Sequence, residues 1–289
     1  MTTKTVAILS LWRDSESYIE RSLAQFDALQ ETLLSQGIAT VYGFFENDSK
    51  DNTAQILQSW LKERIGFVVS ERIDAPRWGS VSSLERVRYQ ARYRNAALDL
   101  LDNYHYDYLL VADSDIHWTP DLVTGMMAKL ENNFSYGMIS PNTTQNVRDF
   151  IGDTDKESYF DSWSLVDLDG NQCMTFAANP FLRPQDRKLW DSKKPVSCNS
   201  AFGSIALVKS EALDAGDVYW SVVDGVEHWE FCRRIREAGF EVIADPTLSA
   251  KVIHKEDVVP HPEIVELHKR RLEAHSVINV TKNLPCFKM

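Results

Sequence analysis

Asp113 and Asp115 stand two residues apart at the end of an apolar run, Tyr108-Leu109-Leu110-Val111-Ala112. The run has the length of a buried strand, and strand side chains two apart point the same way. Beyond the carboxyl end of such a strand, two carboxylates converge on one point in a crevice. They repel each other there unless a cation lies between them, and oxygen ligands suit magnesium or manganese. A cation half-coordinated by protein keeps positions open for pyrophosphate oxygens. An isolated Asp-x-Asp also reads as a solvated acidic turn, so the rest of the chain has to decide.

A second anomaly precedes that strand. Leu84, Val87, Ala91, Leu98 and Leu101 form the apolar stripe of a helix, and Arg94 and Asn95 occupy the step between Ala91 and Leu98. A guanidinium on a buried face needs an anionic partner. Arg94 either snorkels outward or pairs structurally with a carboxylate, or it faces the crevice and meets phosphates or an acid of the metal site.

The positioning elements alternate. Val6-Ala7-Ile8-Leu9 reads as a buried strand, followed by a helix with Ile19, Leu23, Phe26, Leu29 and Leu33 inward and Gly37 at its end. Residues 38–45 read as a strand, then the polar turn from Glu46 to Asn52, then a helix carrying Ile56, Leu57, Trp60 and Leu61, then a strand opening at Gly66. This alternation predicts an α/β domain with a central, mostly parallel sheet flanked by helices. Ligands of such sheets bind beyond the carboxyl ends of the strands, where both acidic turns would lie. Thr119-Pro120-Asp121 opens a helix and residues 136–140 form a short strand. The pattern weakens from 141 to 197, as in functional loops. It resumes in a strand over 204–208, a helix around Phe231, Ile235 and Ala238, and a strand over 240–244. A helix with Ile264, Leu267 and Leu272 is expected to pack back on the domain.

Bulk properties exclude several classes. The chain has 289 residues and a formal net charge of −11, which argues against nonspecific attachment to nucleic acid or anionic lipid. No apolar stretch is long enough to span a bilayer, and the start lacks a signal-peptide core. Cys173, Cys198, Cys232 and Cys286 are scattered without metal-type pairing. A reduced, cytoplasmic protein is the simplest expectation, with peripheral membrane contact and oligomeric state left open.

In order along the chain, a series of blocks resembles the GT-A-fold glycosyltransferases, which move a sugar from a nucleotide diphosphate donor. Val6 to Leu11 with Trp12-Arg13-Asp14 is similar to that superfamily's first strand and nucleotide loop. The turn from Phe45 to Thr53 resembles its Asp-Asp-Gly-Ser-x-Asp-x-Thr turn, although Glu46 and Asn47 replace the paired aspartates. Arg94-Asn95-Ala96-Ala97 resembles the helix before the metal motif, and Asp113-Ser114-Asp115 the Asp-x-Asp motif itself. Residues 226–240, with Glu227, His228 and Glu230, resemble the Gly-Glu-Asp-x-Asp-Phe…Arg…Ala-Gly-Tyr segment that carries a general base in inverting members. Ile253-His254 resembles the closing histidine. Trp78 to Asn95, the acidic turn and Tyr159-Phe160-Asp161…Asp167-Leu168-Asp169-Gly170 look most like the fungal capsule-type mannosyltransferases, and more faintly like collagen galactosyltransferase-like domains.

The resemblance implies a single Rossmann-like GT-A catalytic domain over 1–260, its donor half about 1–118 and acceptor half about 119–260, with a helical tail over 261–289. It implies Asp113, Asp115 and His254 as ligands of Mn2+ or Mg2+, and imidazole with carboxylates suits manganese. It also implies donor contacts from Leu11, Arg13, Glu46, Asn47, Asp48, Arg94, Asp113, Ser114, Asn199 and Ser200. Glu227 is the candidate base, since a carboxylate in a dry cleft can have its pKa raised. His228, where the usual aspartate stands, is either a second base or a neutral acceptor contact, and a retaining mechanism stays open. Glu230 shares its helix with arginines and reads as structural. Trp78, Trp118, Trp163 and Trp229 are either acceptor platforms or ordinary core tryptophans.

Rivals fit less well. Ser10-Leu11-Trp12-Arg13 is unlike the glycine-rich turn of a dehydrogenase or the basic glycine-rich loop of a sugar nucleotidyltransferase. A non-catalytic carbohydrate- or nucleotide-binding relative would be expected to lose metal ligands, and all three candidates are present. The expected function is metal-dependent transfer of a hexose from a GDP- or UDP-linked donor to a hydroxyl of a glycan or glycoconjugate.

Overall fold

The computed structural model describes residues 4–78, 83–146, 157–173 and 177–252. His254 and the tail helix expected over 261–289 lie outside the described residues.

Among the described residues ten strands form one sheet. Its main path runs β3 (Gly66–Glu71), β2 (Ala39–Asn47), β1 (Thr5–Trp12), β4 (Tyr108–Ala112), β9 (Ile205–Lys209), β6 (Tyr136–Asn146), β10 (Glu241–Val252) and β5 (Ile116–His117). Strands β7 (Glu157–Tyr159) and β8 (Val196–Cys198) pair with β6 and β10. Pairing is parallel from β3 to β4 and between β6 and β10, while β9 runs antiparallel between β4 and β6. The mostly parallel sheet expected from the alternation is therefore present, with one reversed strand at its centre. The strand expected over 136–140 continues to Asn146 and that over 240–244 to Val252. Exposed or half-buried residues alternate with buried ones in these extensions, and the buried Thr143 and Gln145 are polar, which blurs the apolar run that marks the first half of each strand.

Period-two alternation sends β1 side chains to two cores. Val6 and Ile8 pack with helices α1 (Ile19–Ser35), α2 (Thr53–Leu61) and α4 (Pro120–Asn132). Ala7 and Leu9 pack on the opposite face, with α3 (Leu84–Leu101), α6 (Ser210–Gly216) and α7 (Glu227–Glu237). A short helix, α5 (Pro184–Asp191), lies in the stretch that reads as irregular from sequence. Gly37 takes φ +73°, a left-handed conformation that lets the chain turn after α1.

The same parity positions the site. In β4, Leu109 and Val111 join the α3 face and Leu110 and Ala112 the α1 face. Continuing the alternation, Asp113 emerges toward α3 and α7, and Ser114 toward α1.

Candidate active site

Asp113 follows the carboxyl end of β4, where its backbone N–H is held by the Ser204 carbonyl at 2.8 Å. Arg94 lies opposite on α3, with its side chain 5% exposed. Its Nη2 donates to Asp113 Oδ1 at 3.2 Å, and its Nη1 donates to Glu227 Oε1 and, at 3.4 Å, to Gln90 Oε1. Glu227 is the first residue of α7. One buried guanidinium thus joins the strand carrying the Asp-x-Asp to the helix carrying the candidate base. Such a buried cation is tolerated because both its arms end on carboxylates.

Neighbouring Asn95 faces the other way. Its side chain accepts from the Trp220 N–H at 2.8 Å and donates to the Trp220 carbonyl at 2.7 Å. Trp220 stacks on Phe231 and its indole N–H donates to His228 Nδ1 at 3.3 Å. His228 also stacks on Phe202, with ring centroids 3.8 Å apart, and its Nε2 lies 3.6 Å from Glu227 Oε1. Burial, and then the Arg94 charge, push the His228 pKa well below its usual value. The ring is neutral at neutral pH, with its Nδ1 lone pair occupied and its proton on Nε2. That arrangement gives His228 no free lone pair with which to act as a base.

The Asp113 carboxyl has a pKa raised to about 7. Burial is the main cause; Arg94 opposes it, while Asp115, Asp161 and Glu227 add repulsion. Asp161 is likewise pushed up by burial, although it accepts from Ser164 Oγ and from the Gly203 N–H at 3.1 Å. The mutual repulsion of Asp113 and Asp115 fits a divalent cation, whose charge would relieve it. Among the described residues no three His, Cys, Asp or Glu side chains form a ready-made metal cage. Two protein carboxylates with remaining positions left to phosphate oxygens match the way magnesium-type ions are held.

At the ends of β1 to β3 the expected donor residues form a polar network. Asp48, with φ +52°, accepts from the backbone N–H of Ile73 and Asp74 at 2.8 Å, from Ala75 N–H at 3.0 Å and from the Asn47 amide at 2.9 Å. Burial raises its carboxyl, but these four donors outweigh that and hold it below the ordinary value. Arg13 donates to the Ala75 carbonyl at 2.9 Å. Asp48 and Arg13 therefore fix the 73–76 segment, just beyond the carboxyl end of β3. Glu46 is 3% exposed and is taken up by Ser49 N–H at 2.9 Å and by the Ser70 hydroxyl. Leu11 pairs in register with Phe45 and lies two residues beyond Leu9, the partner of Val111. It therefore sits level with Asp113.

Other expected residues are placed differently. The Ser114 hydroxyl lies 3.2 Å from that of Tyr18, the residue that precedes α1, on the face away from Arg94. Asn199 is held by Val166 and Asp167 carbonyls at 2.8 and 2.7 Å, and Ser200 bridges to Val166. Trp118 is 3% exposed and packs against Phe26 in the α1-side core, the second of the two placements expected for it. Trp78 packs on Tyr89 of α3. Trp163 and Trp229 are half-buried neighbours, the Trp229 N–H donating to the Trp163 carbonyl at 3.1 Å. Sequence reasoning missed Asp161, Gln90 and Arg86 as crevice residues. The i, i+4, i+8 spacing of Arg86, Gln90 and Arg94 was a readable signal of one helix face. Asp161 had none beyond its place in an acidic, aromatic loop. Among the described residues no helix is long and apolar enough to cross a membrane.

Solved structures share this architecture at low identity. GalNAc-T7 with UDP, GalNAc and Mn2+ superposes with TM-score 0.58 and 12% identity over 89% of this chain and 45% of that one. The mannosyltransferase PcManGT from Pyrobaculum calidifontis, in complex with GDP-Man and Mn2+, gives 0.53 and 14% over 98% and 65%. S. aureus TarS 1-349 in complex with UDP-GlcNAc gives 0.52 and 16% over 96% and 67%. The chain thus spans about half to two thirds of the length of these structures, which establish the GT-A fold. No curated protein matches it in sequence. The profile of one family, described as cryptococcal mannosyltransferase 1, matches residues 6–266. The chain belongs to that family and has the GT-A fold.

Proposed function

We propose that the chain transfers a hexose, with mannose from GDP-mannose the first donor to test, to a hydroxyl of a glycan or glycoconjugate in a metal-dependent reaction. The observation that carries this reading is the convergence of Asp113, Asp161, Arg94 and Glu227 in the crevice beyond the carboxyl ends of the strands. The family's description and the GDP-Man complex of one structural neighbour favour mannose over other hexoses. The catalytic domain is taken as residues 1–260.

Asp113 and Asp115 would hold Mn2+ or Mg2+ with His254, and the cation would act there as a Lewis acid for the diphosphate. Arg13 and Asp48 shape the nucleoside end by holding the 73–76 segment, with Leu11, Glu46 and Asn47 beneath it. Glu227 accepts or orients the acceptor hydroxyl proton and Arg94 fixes its carboxylate in place. His228 serves as the neutral spacer between Glu227 and Phe202. Trp163 and Trp229, one on a loop and one on α7, offer the acceptor an aromatic wall, with Trp78 at the opposite side.

The test is incubation of the purified full chain with Mn2+ and a panel of GDP- and UDP-linked hexoses, with release of nucleoside diphosphate as the readout. Slow release from one donor, abolished by chelator, is the expected result. No release from any donor, with or without oligosaccharide acceptors, would contradict it.

A further inference from the structure

Arg86 lies on the first turn of α3, two turns before Arg94 on the same helix face as Gln90. Eight residues of helix place its backbone about 12 Å along the axis from Arg94. Since α3 leads into β4, its N-terminus stands at the carboxyl ends of the parallel strands, over the mouth of the crevice. The half-buried Arg86 guanidinium lies in the field of Glu227, Arg94, Asp113 and Asp115. Among the described residues it makes no side-chain hydrogen bond and no ion pair, in contrast to Arg94. Burial holds its pKa below the ordinary guanidinium value, ahead of the upward pull of Glu227. A partly desolvated guanidinium without an anion is a costly arrangement, and the adjoining helix N-terminus also favours negative charge.

Three crevice carboxylates do not meet this need. Arg94 takes Glu227 and Asp113, and Asp161 is engaged by Ser164 and Gly203. We propose that Arg86 is a catalytic residue that binds the donor diphosphate and stabilises it as leaving group. In the transfer, the bond between the anomeric carbon and the phosphate oxygen breaks and its electron pair stays on that oxygen. The acceptor oxygen bonds the anomeric carbon, and its proton passes to a site carboxylate. The diphosphate gains one negative charge, which the Arg86 guanidinium faces. This rests on the donor-site reading given above.

The test is calorimetric binding of GDP, UDP, GMP and UMP to the full chain with Mn2+, for the wild type, Arg86→Gln and Arg86→Lys. The α3 cap is unaffected, because Ser83 Oγ accepts from the Arg86 backbone N–H. Arg86→Gln is expected to weaken diphosphate binding roughly 10- to 100-fold while monophosphate binding changes less than about twofold. Arg86→Lys is expected to recover part of the loss. An unchanged ratio of diphosphate to monophosphate affinity in Arg86→Gln, or an equal loss for both, overturns the role of Arg86 alone. A wild type that binds none of the four overturns the donor-site reading itself.

Discussion

Arg94 and Glu227, 133 residues apart in the chain, form a buried ion pair, and the same guanidinium reaches Asp113. The pair ties α3, which leads into β4, to α7, which leads into β10. It also means that the candidate base is not a lone carboxylate in an apolar cleft. Its position is set by a cation that simultaneously touches the metal-motif strand.

Replacing Arg94 by Met leaves Glu227 and Asp113 without their cation. Removing one partner of a buried ion pair costs about 3–5 kcal/mol. The double variant Arg94→Met/Glu227→Gln is expected to be less destabilised than the sum of the two single variants. Urea unfolding of the four proteins measures the coupling.

Asp48 gives a prediction with a definite pH dependence. Its folded pKa is lowered, so its contribution is present above the unfolded value and is lost as pH falls through the folded one. Asp48→Asn keeps a residue that tolerates the left-handed backbone but removes the charge, at a cost of about 1–2 kcal/mol near neutral pH. The difference from wild type is expected to close as the pH falls below about 4. Thermal melts from pH 3 to 7 follow it, and a difference independent of pH would contradict the assignment.

His228 acts in the opposite sense for a base. It is neutral when folded and binds a proton once unfolded, so wild-type stability falls as pH drops below about 6.5. His228→Gln keeps an acceptor for the Trp220 N–H and removes this dependence between pH 5 and 7. Donor turnover is expected to survive the substitution, measured as nucleoside diphosphate release. A loss as deep as that of Glu227→Gln would make His228 the base.

Trp118 and Trp229 separate core from site. Trp118→Ala creates a cavity against Phe26 and is expected to destabilise by about 3–5 kcal/mol without altering nucleotide affinity in the folded protein. Trp229→Ala is expected to leave nucleotide affinity intact and to raise KM for an oligosaccharide acceptor. Denaturation and steady-state kinetics on the two variants distinguish them.

The alternation of strands and helices was legible because each element repeats its apolar residues at the period of its own geometry, as Val6–Leu9 and the Ile19–Leu33 stripe show. Arg94 was legible for the same reason: a cation at an apolar step stands out. The loop around Asp161 was not, because its placement depends on the Gly203 N–H and Ser164, contacts that no local period encodes. Trp118 illustrates the reverse limit. Its nearness in sequence to Asp115 suggested the site, but β5 turns it into the α1-side core. Ser114 points to the α1 face, a placement that the alternation along β4 already contained.

The most direct measurement is thermal stabilisation by nucleoside diphosphates in the presence of Mn2+, with Asp115→Ala as control. One of GDP or UDP is expected to raise the melting temperature in a metal-dependent way, at concentrations well above its Kd, and the shift is expected to vanish in Asp115→Ala. A shift that persists in the variant or without metal, or none with any nucleotide, would contradict the assignment of the crevice as a metal-dependent donor site.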